Sequence, residues 1–121
     1  MKMLKIGIAS YEQMKARTLS IARGELKPKP TDPKVWFPST ESLVRVLSEK
    51  NRILLTTIRD SQPQSLSDLA ELTGRKKSNL SRTLKTMERY GIVKLERKAQ
   101  GRVVPRVSYA GVTVDMPLVS R

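Results

Sequence analysis

The sequence contains neither cysteine nor histidine. Without Cys there is no disulfide framework, no thiolate metal site and no Cys nucleophile. Without His the commonest general base and metal ligand is missing too. The six glycines stand singly, at positions 7, 24, 74, 91, 101 and 111, and form neither a phosphate-cradling loop nor a dinucleotide fingerprint. Only carboxylate or Lys chemistry is left, so the expectation is a non-enzyme that takes no metal and no cofactor.

Aromatics are scarce: Tyr11, Trp36, Phe37, Tyr90 and Tyr109. Stacking platforms for single-stranded nucleic acid are therefore poorly supplied. Long apolar runs are missing as well. Met3, Leu4, Ile6 and Ile8 are interrupted by Lys5 and Gly7, too short a stretch for a signal peptide, and nothing approaches the roughly 18 residues that cross a bilayer. The reading is a cytoplasmic protein without a membrane partner.

Acids are the other shortage. The 121 residues carry 24 Lys and Arg against 11 Asp and Glu, a net charge of +13. Eleven of those cations lie between Arg75 and Arg106, where the acids are Glu88 and Glu96, so this segment alone holds +9. A folded segment so charged calls for a polyanion.

The chain is long enough for one domain, or one domain and an arm. Leu4, Ile6 and Ile8 alternate as in a half-buried strand over residues 3–8. Ser10 and Gln13 have capping-box spacing before a helix from Tyr11 to about Arg23, which ends at Gly24. Pro28, Pro30 and Pro33 make residues 27–33 an extended linker. Residues 1–34 thus read as a strand-helix unit with linker that supplies dimer or partner contacts, and residues 35–121 as the main domain. Val35, Trp36 and Phe37 dock the linker onto the core.

Ser39 or Thr40 caps the next helix. A break near residues 48–51, with Ser48 as cap, separates it from a helix ending at Gln62 and Pro63; one bent helix is the alternative. Ser67 is read as the cap of a short helix holding Leu69, Ala70 and Leu72, with Gly74 at its tight exit. From Ser78 to Tyr90, Leu80, Leu84 and Met87 recur at helical spacing, and Gly91 ends the pattern. Ile92, Val93 and Leu95 form a strand, residues 98–102 a turn, and Val103, Val104 and Val107 the return, with Pro105 confining it to a sheet edge. The fold class expected is mainly α with a small β component, a winged helix-turn-helix behind the N-terminal unit.

Helices crossing at Ala70 around a turn at Gly74 suit duplex DNA. At 100° per residue, Ser78, Arg82, Lys85 and Arg89 lie opposite the apolar stripe, flanked by Asn79 and Thr86. Arg82 can pair bidentately with guanine and Asn79 with adenine, each discriminating by about 1–3 kcal/mol. Arg75, Lys76 and Lys77 precede that helix and suit phosphates. Arg97, Lys98 and Arg102 make a cationic hairpin turn able to reach a neighbouring groove or backbone. A merely solvated cationic face is the alternative, but such faces normally interleave acids, and residues 78–90 hold only Glu88.

The runs Ile53–Ile58, Ser67–Gly74, Ser78–Lys85 and Tyr90–Val93 resemble the winged helix-turn-helix of MarR- and ArsR-type regulators. Arg17 to Gly24 followed by Val35-Trp36-Phe37 resembles a narrower family of short prokaryotic predicted transcriptional regulators. The resemblance implies that Ser78, Asn79, Arg82 and Lys85 enter the major groove and that residues 97–102 are the wing. It also implies an antitoxin role, some members being thought to neutralise a cognate toxin and repress their own operon. The long flanking dimerisation helices of MarR proteins are missing, so their dimer mode and ligand pocket are not carried over. The leading expectation is a repressor that binds a palindrome in double-stranded DNA as a homodimer. Residues 3–8, the prolines and residues 112–119 are candidate dimer or partner surfaces. Binding of structured RNA is a further alternative.

Overall fold

Serines open four of the five helices. In the computed structural model, which describes residues 1–119, Ser10 caps α1 (Tyr11–Ala22), and its capping box with Gln13 is complete. Ser39 caps α2 (Thr40–Val46), and Ser48 caps α3 (Glu49–Ser61) at the expected break. The next cap differs from expectation: Ser65, not Ser67, opens α4 (Leu66–Thr73), its hydroxyl accepting from the Asp68 amide at 3.0 Å. Asp68 stands three residues on and takes the Gln64 amide, so the Ser-x-x-Asp spacing carried the signal. α5 runs from Lys77 to Arg89, one residue earlier than its apolar pattern indicates. Its N-cap, Lys76, makes no side-chain hydrogen bond.

The β component is larger than expected, and the fold is mixed α/β. β3 (Val93–Arg97) and β4 (Val103–Val107) pair as the antiparallel hairpin. β1 (Lys2–Ile8), β2 (Val35–Phe37) and β5 (Tyr109–Asp115) form a three-stranded parallel sheet in the order β2-β1-β5. Ile6 stands opposite Val35 on one side and Val114 on the other. β2 pairs with Ile6–Ile8 and β5 with Lys2–Gly7, so Ile6 and Gly7 are closed on both sides, while Met3 and Leu4 pair on the β5 side alone. Part of the tail read only as a surface is β5. Parallel strands pair residues far apart in sequence, and no local pattern announces such a partnership.

One apolar cluster joins the elements. Leu54 and Ile58 of α3, Leu66 and Leu69 of α4, Leu80, Leu84 and Met87 of α5 and Val93 and Leu95 of β3 pack with Leu4, Ile6 and Phe37. The Phe37 ring stacks on Tyr90 with centroids 3.8 Å apart, fastening β2 to the end of α5. On the outer side of the sheet, Trp36 lies across Gly7, where a Cβ would come within 2.4 Å of its ring. The Arg17 guanidinium covers Trp36 at 5.4 Å and pairs with Asp32 at 3.0 Å. The linker is thereby held against α1. Among the described residues no helix is long and apolar enough to cross a membrane.

Candidate nucleic-acid interface

The inward stripe of α5 sits where the spacing places it. Leu80, Leu84 and Met87 are fully buried, so Lys77, Ser78, Asn79, Arg82, Lys85 and Arg89 are exposed. Gly74 adopts φ 72°, the left-handed turn that lets the chain leave α4 and enter α5 within three residues. No acid lies in the first turn of α5.

Arg75 is committed within the fold. Its Nε and Nη2 donate to Asn79 Oδ1 at 3.0 and 2.8 Å, its Nη1 to Asn51 Oδ1 at 3.2 Å, and Nη2 also reaches Thr83 Oγ1 at 3.4 Å. It ties the start of α5 to α3. Lys76, Lys77, Arg82, Lys85 and Arg89 form no ion pair among the described residues. Arg89 donates only to the Thr86 hydroxyl, at 3.3 Å.

The two acids of the segment are both spent on the hairpin. Glu88 receives Arg97 in a two-point pair, at 3.1 and 3.2 Å. Hydrogen bonds from Arg97 hold the Glu88 carboxyl below its ordinary range, and Glu88 in turn raises Arg97. Glu96 lies between Lys98 at 3.4 Å and Arg106 at 3.5 Å and is likewise lowered, chiefly by its hydrogen bond with Lys98. Arg102 donates from Nη1 to the Gln64 carbonyl at 3.0 Å, pinning the hairpin to the loop between α3 and α4. All three expected hairpin cations therefore have internal partners. Between α5 and the hairpin lies an open groove lined by Lys77, Ser78, Ser81, Lys85, Arg97 and Gly101.

Residues 46–114, more than half of the chain, match the family model described as HVO_A0114. The chain belongs to the HVO_A0114 family. The match runs from the last residue of α2 into β5, so it takes in α3, α4, α5 and the hairpin and leaves β1, α1 and β2 outside. None of the curated proteins compared matches the chain. A crystal structure of the predicted DNA-binding transcriptional regulator from E. coli is similar at a TM-score of 0.48 and 20% identity, over 84% of this chain and 86% of that one. A likeness that slight bears on no functional question.

Within the segment shared with the HVO_A0114 family, Asn51 and Ser81 join the surface without having been singled out in the sequence. Asn51 sits in α3 and meets Arg75 across 24 residues. Arg45, just before the matched segment, lines a hollow beside Arg82, Thr83 and Thr86. Its only sequence signal is a cation in the last turn of α2. Ser81 carried none.

Proposed function

We propose that this chain binds double-stranded DNA and regulates transcription, with α4, the turn at Gly74 and α5 as a helix-turn-helix and β3–β4 as its wing. The observation that carries the reading is the separation of charge around α5. Its outer face holds Lys77, Arg82, Lys85 and Arg89, while the one acid on the helix, Glu88, is turned to the hairpin and consumed by Arg97. An ordinary solvent face disperses acids among its bases. This one leaves a row of cations with no counter-charge inside the protein, which phosphates would supply.

The assignment of roles follows. α5 lies in the major groove, where Arg82 and Lys85 meet base edges. Lys76 and Lys77 take phosphate beside the free amides of the first turn. Asn79 reads a base only by surrendering Arg75, because a carboxamide oxygen that already accepts two N–H groups has no lone pair left for adenine. A single short recognition helix spans too few base pairs for useful selectivity, so two copies act on an inverted repeat. A protein seated on its own promoter represses by occupying it.

Binding titrations with labelled duplex from the upstream region, scrambled duplex and RNA duplex of equal length test the reading. The expected order is specific DNA, then scrambled DNA, then RNA. Equal affinity for all three at physiological salt overturns it.

A further inference from the structure

Most strand edges in this chain are blunted. β2 is three residues long, with Pro33 shortly before it and Pro38 directly after. In the hairpin, β4 contains Pro105, and β3 carries Lys94 and Glu96. Short strands, prolines and charges are the means by which sheets discourage pairing with another chain. β5 is blunted least: its one charge is Asp115 at the last position, and Pro117 lies two residues beyond it. One side of it is paired with β1, and the other side runs free over seven residues, Tyr109–Asp115, with no Pro, Lys or Arg.

Charge singles out the same place. In a chain of net charge +13, residues 107–119 include no Lys or Arg and a single acid, Asp115. Two copies that approach through α5 or the hairpin repel each other, whereas here they do not. Apolar side chains flank the edge: Val114 and Met116 are 46% and 44% exposed. The Thr40 hydroxyl of α2 reaches Met116 Sδ at 3.3 Å. Val44, 61% exposed, lies one turn further along that face of α2.

We propose that β5 is the seam of a homodimer. Two copies pair β5 with β5 in antiparallel fashion about a two-fold axis, joining two three-stranded sheets into one of six, and Val44, Val114 and Met116 close over the junction. A two-fold axis brings a strand edge against itself in this sense, so each copy offers what the other needs. Six strands is an ordinary sheet size. The occupant is a second copy because the surface is nearly neutral and self-complementary, where a partner drawn by charge would seek the cationic face. The inference rests on the DNA reading only for the use of two recognition helices. The edge and charge arguments stand apart from it.

The test measures molar mass of the full chain by sedimentation equilibrium, with Val114→Lys on the seam and Leu19→Lys on the exposed side of α1 as control. The wild type and L19K are expected to be dimers. V114K is expected to raise the dimer dissociation constant about 100-fold or more, with far-UV circular dichroism unchanged. Hydrogen exchange gives a readout independent of any variant's folding. In the wild-type dimer all β5 amides are protected, and on dilution to monomer only those facing away from β1 become fast. A monomeric wild type, or a V114K that stays dimeric, overturns the seam, as does a dimer dissolved by L19K alone. Titration of each protein with single-site and inverted-repeat duplexes keeps the two readings apart. Loss of the dimer in V114K with no duplex binding by any variant supports the seam and sinks the DNA reading. Duplex binding by a monomeric wild type does the reverse.

Discussion

Arg75 grips Asn79 through two N–H groups that share one carboxamide oxygen, at 3.0 and 2.8 Å, while its third nitrogen holds Asn51 of α3. A residue expected to touch phosphate and one expected to touch a base are engaged with each other. Arg75→Ala should therefore cost stability as well as binding, about 1–2 kcal/mol in urea denaturation for the hydrogen bonds lost. Lys77→Ala should weaken duplex binding and leave the urea midpoint unchanged. Equal midpoints for the two variants would show that the Arg75 ties contribute nothing.

Five cations at the start and on the outer face of α5, Lys76, Lys77, Arg82, Lys85 and Arg89, have no acid partner among the described residues. If all five meet phosphate, the logarithm of affinity should fall with the logarithm of salt with a slope of about 4–5 per protomer. Arg82→Ala should relax discrimination at one or two base positions by about 1–3 kcal/mol. Lys98→Ala should flatten the salt slope by less than one charge, because Glu96 already offsets Lys98. A Lys98 variant that behaves like Arg82→Ala on both measures contradicts this division.

Glu88 restrains Arg97. Glu88→Gln removes the negative charge from the two-point pair and frees a cation at the turn end of the hairpin. Affinity for duplex of any sequence should rise, and the salt slope should steepen by about 0.9. An unchanged slope would place Arg97 out of reach of the backbone.

Gly7 is the one position where the sheet admits no side chain. A Cβ there lands 2.4 Å from two carbons of the Trp36 ring, so Gly7→Ala must displace the indole and its contact with Arg17. A loss of about 1–3 kcal/mol is expected. Because Trp36 is the only tryptophan, its fluorescence reports the displacement directly. The double variant with Trp36→Leu should recover part of the loss; a Gly7→Ala protein with native stability and emission would refute the close approach.

Acid should release the wing from α5. Both Glu88 and Glu96 are held below their ordinary value of 4.5 by cationic hydrogen-bond partners. A lowered folded-state pKa stabilises the native state fully above the ordinary value, and that contribution is lost as pH falls through the lower one. Hairpin amide protection factors, with the intrinsic pH dependence of exchange divided out, should thus be constant from neutral pH to about pH 5 and fall only in stronger acid. Side-chain carboxyl resonances that titrate at or above 4.5 would contradict the pairs.

Much of this molecule is local, and local structure was legible. Ser10 with Gln13, Ser39 and Ser48 mark helix starts because a cap needs only a hydroxyl a few residues from the amide it accepts. The α5 stripe and the hairpin turn at residues 98–102 follow from periods of 3.6 and 2. Ser67 sits two residues after Ser65 and offers the same hydroxyl, and only backbone geometry shows that Ser65 is the one facing the Asp68 amide. At the candidate interface the sequence placed the cations on one helix and one turn. It gave no means of seeing that Arg75, Arg97, Lys98 and Arg102 hold the protein's own groups.

Composition and period by themselves determined the helices, the hairpin and a surplus of positive charge between residues 75 and 106, since each depends on neighbours within a turn or two. The tertiary structure alone decided that residues 2–8 lie between residues 35–37 and 109–115, that Phe37 stacks on Tyr90, and which cations are left unpaired. Parallel pairing and ion pairing across the fold depend on distances that close only when the chain is folded, and a linear sequence does not record them.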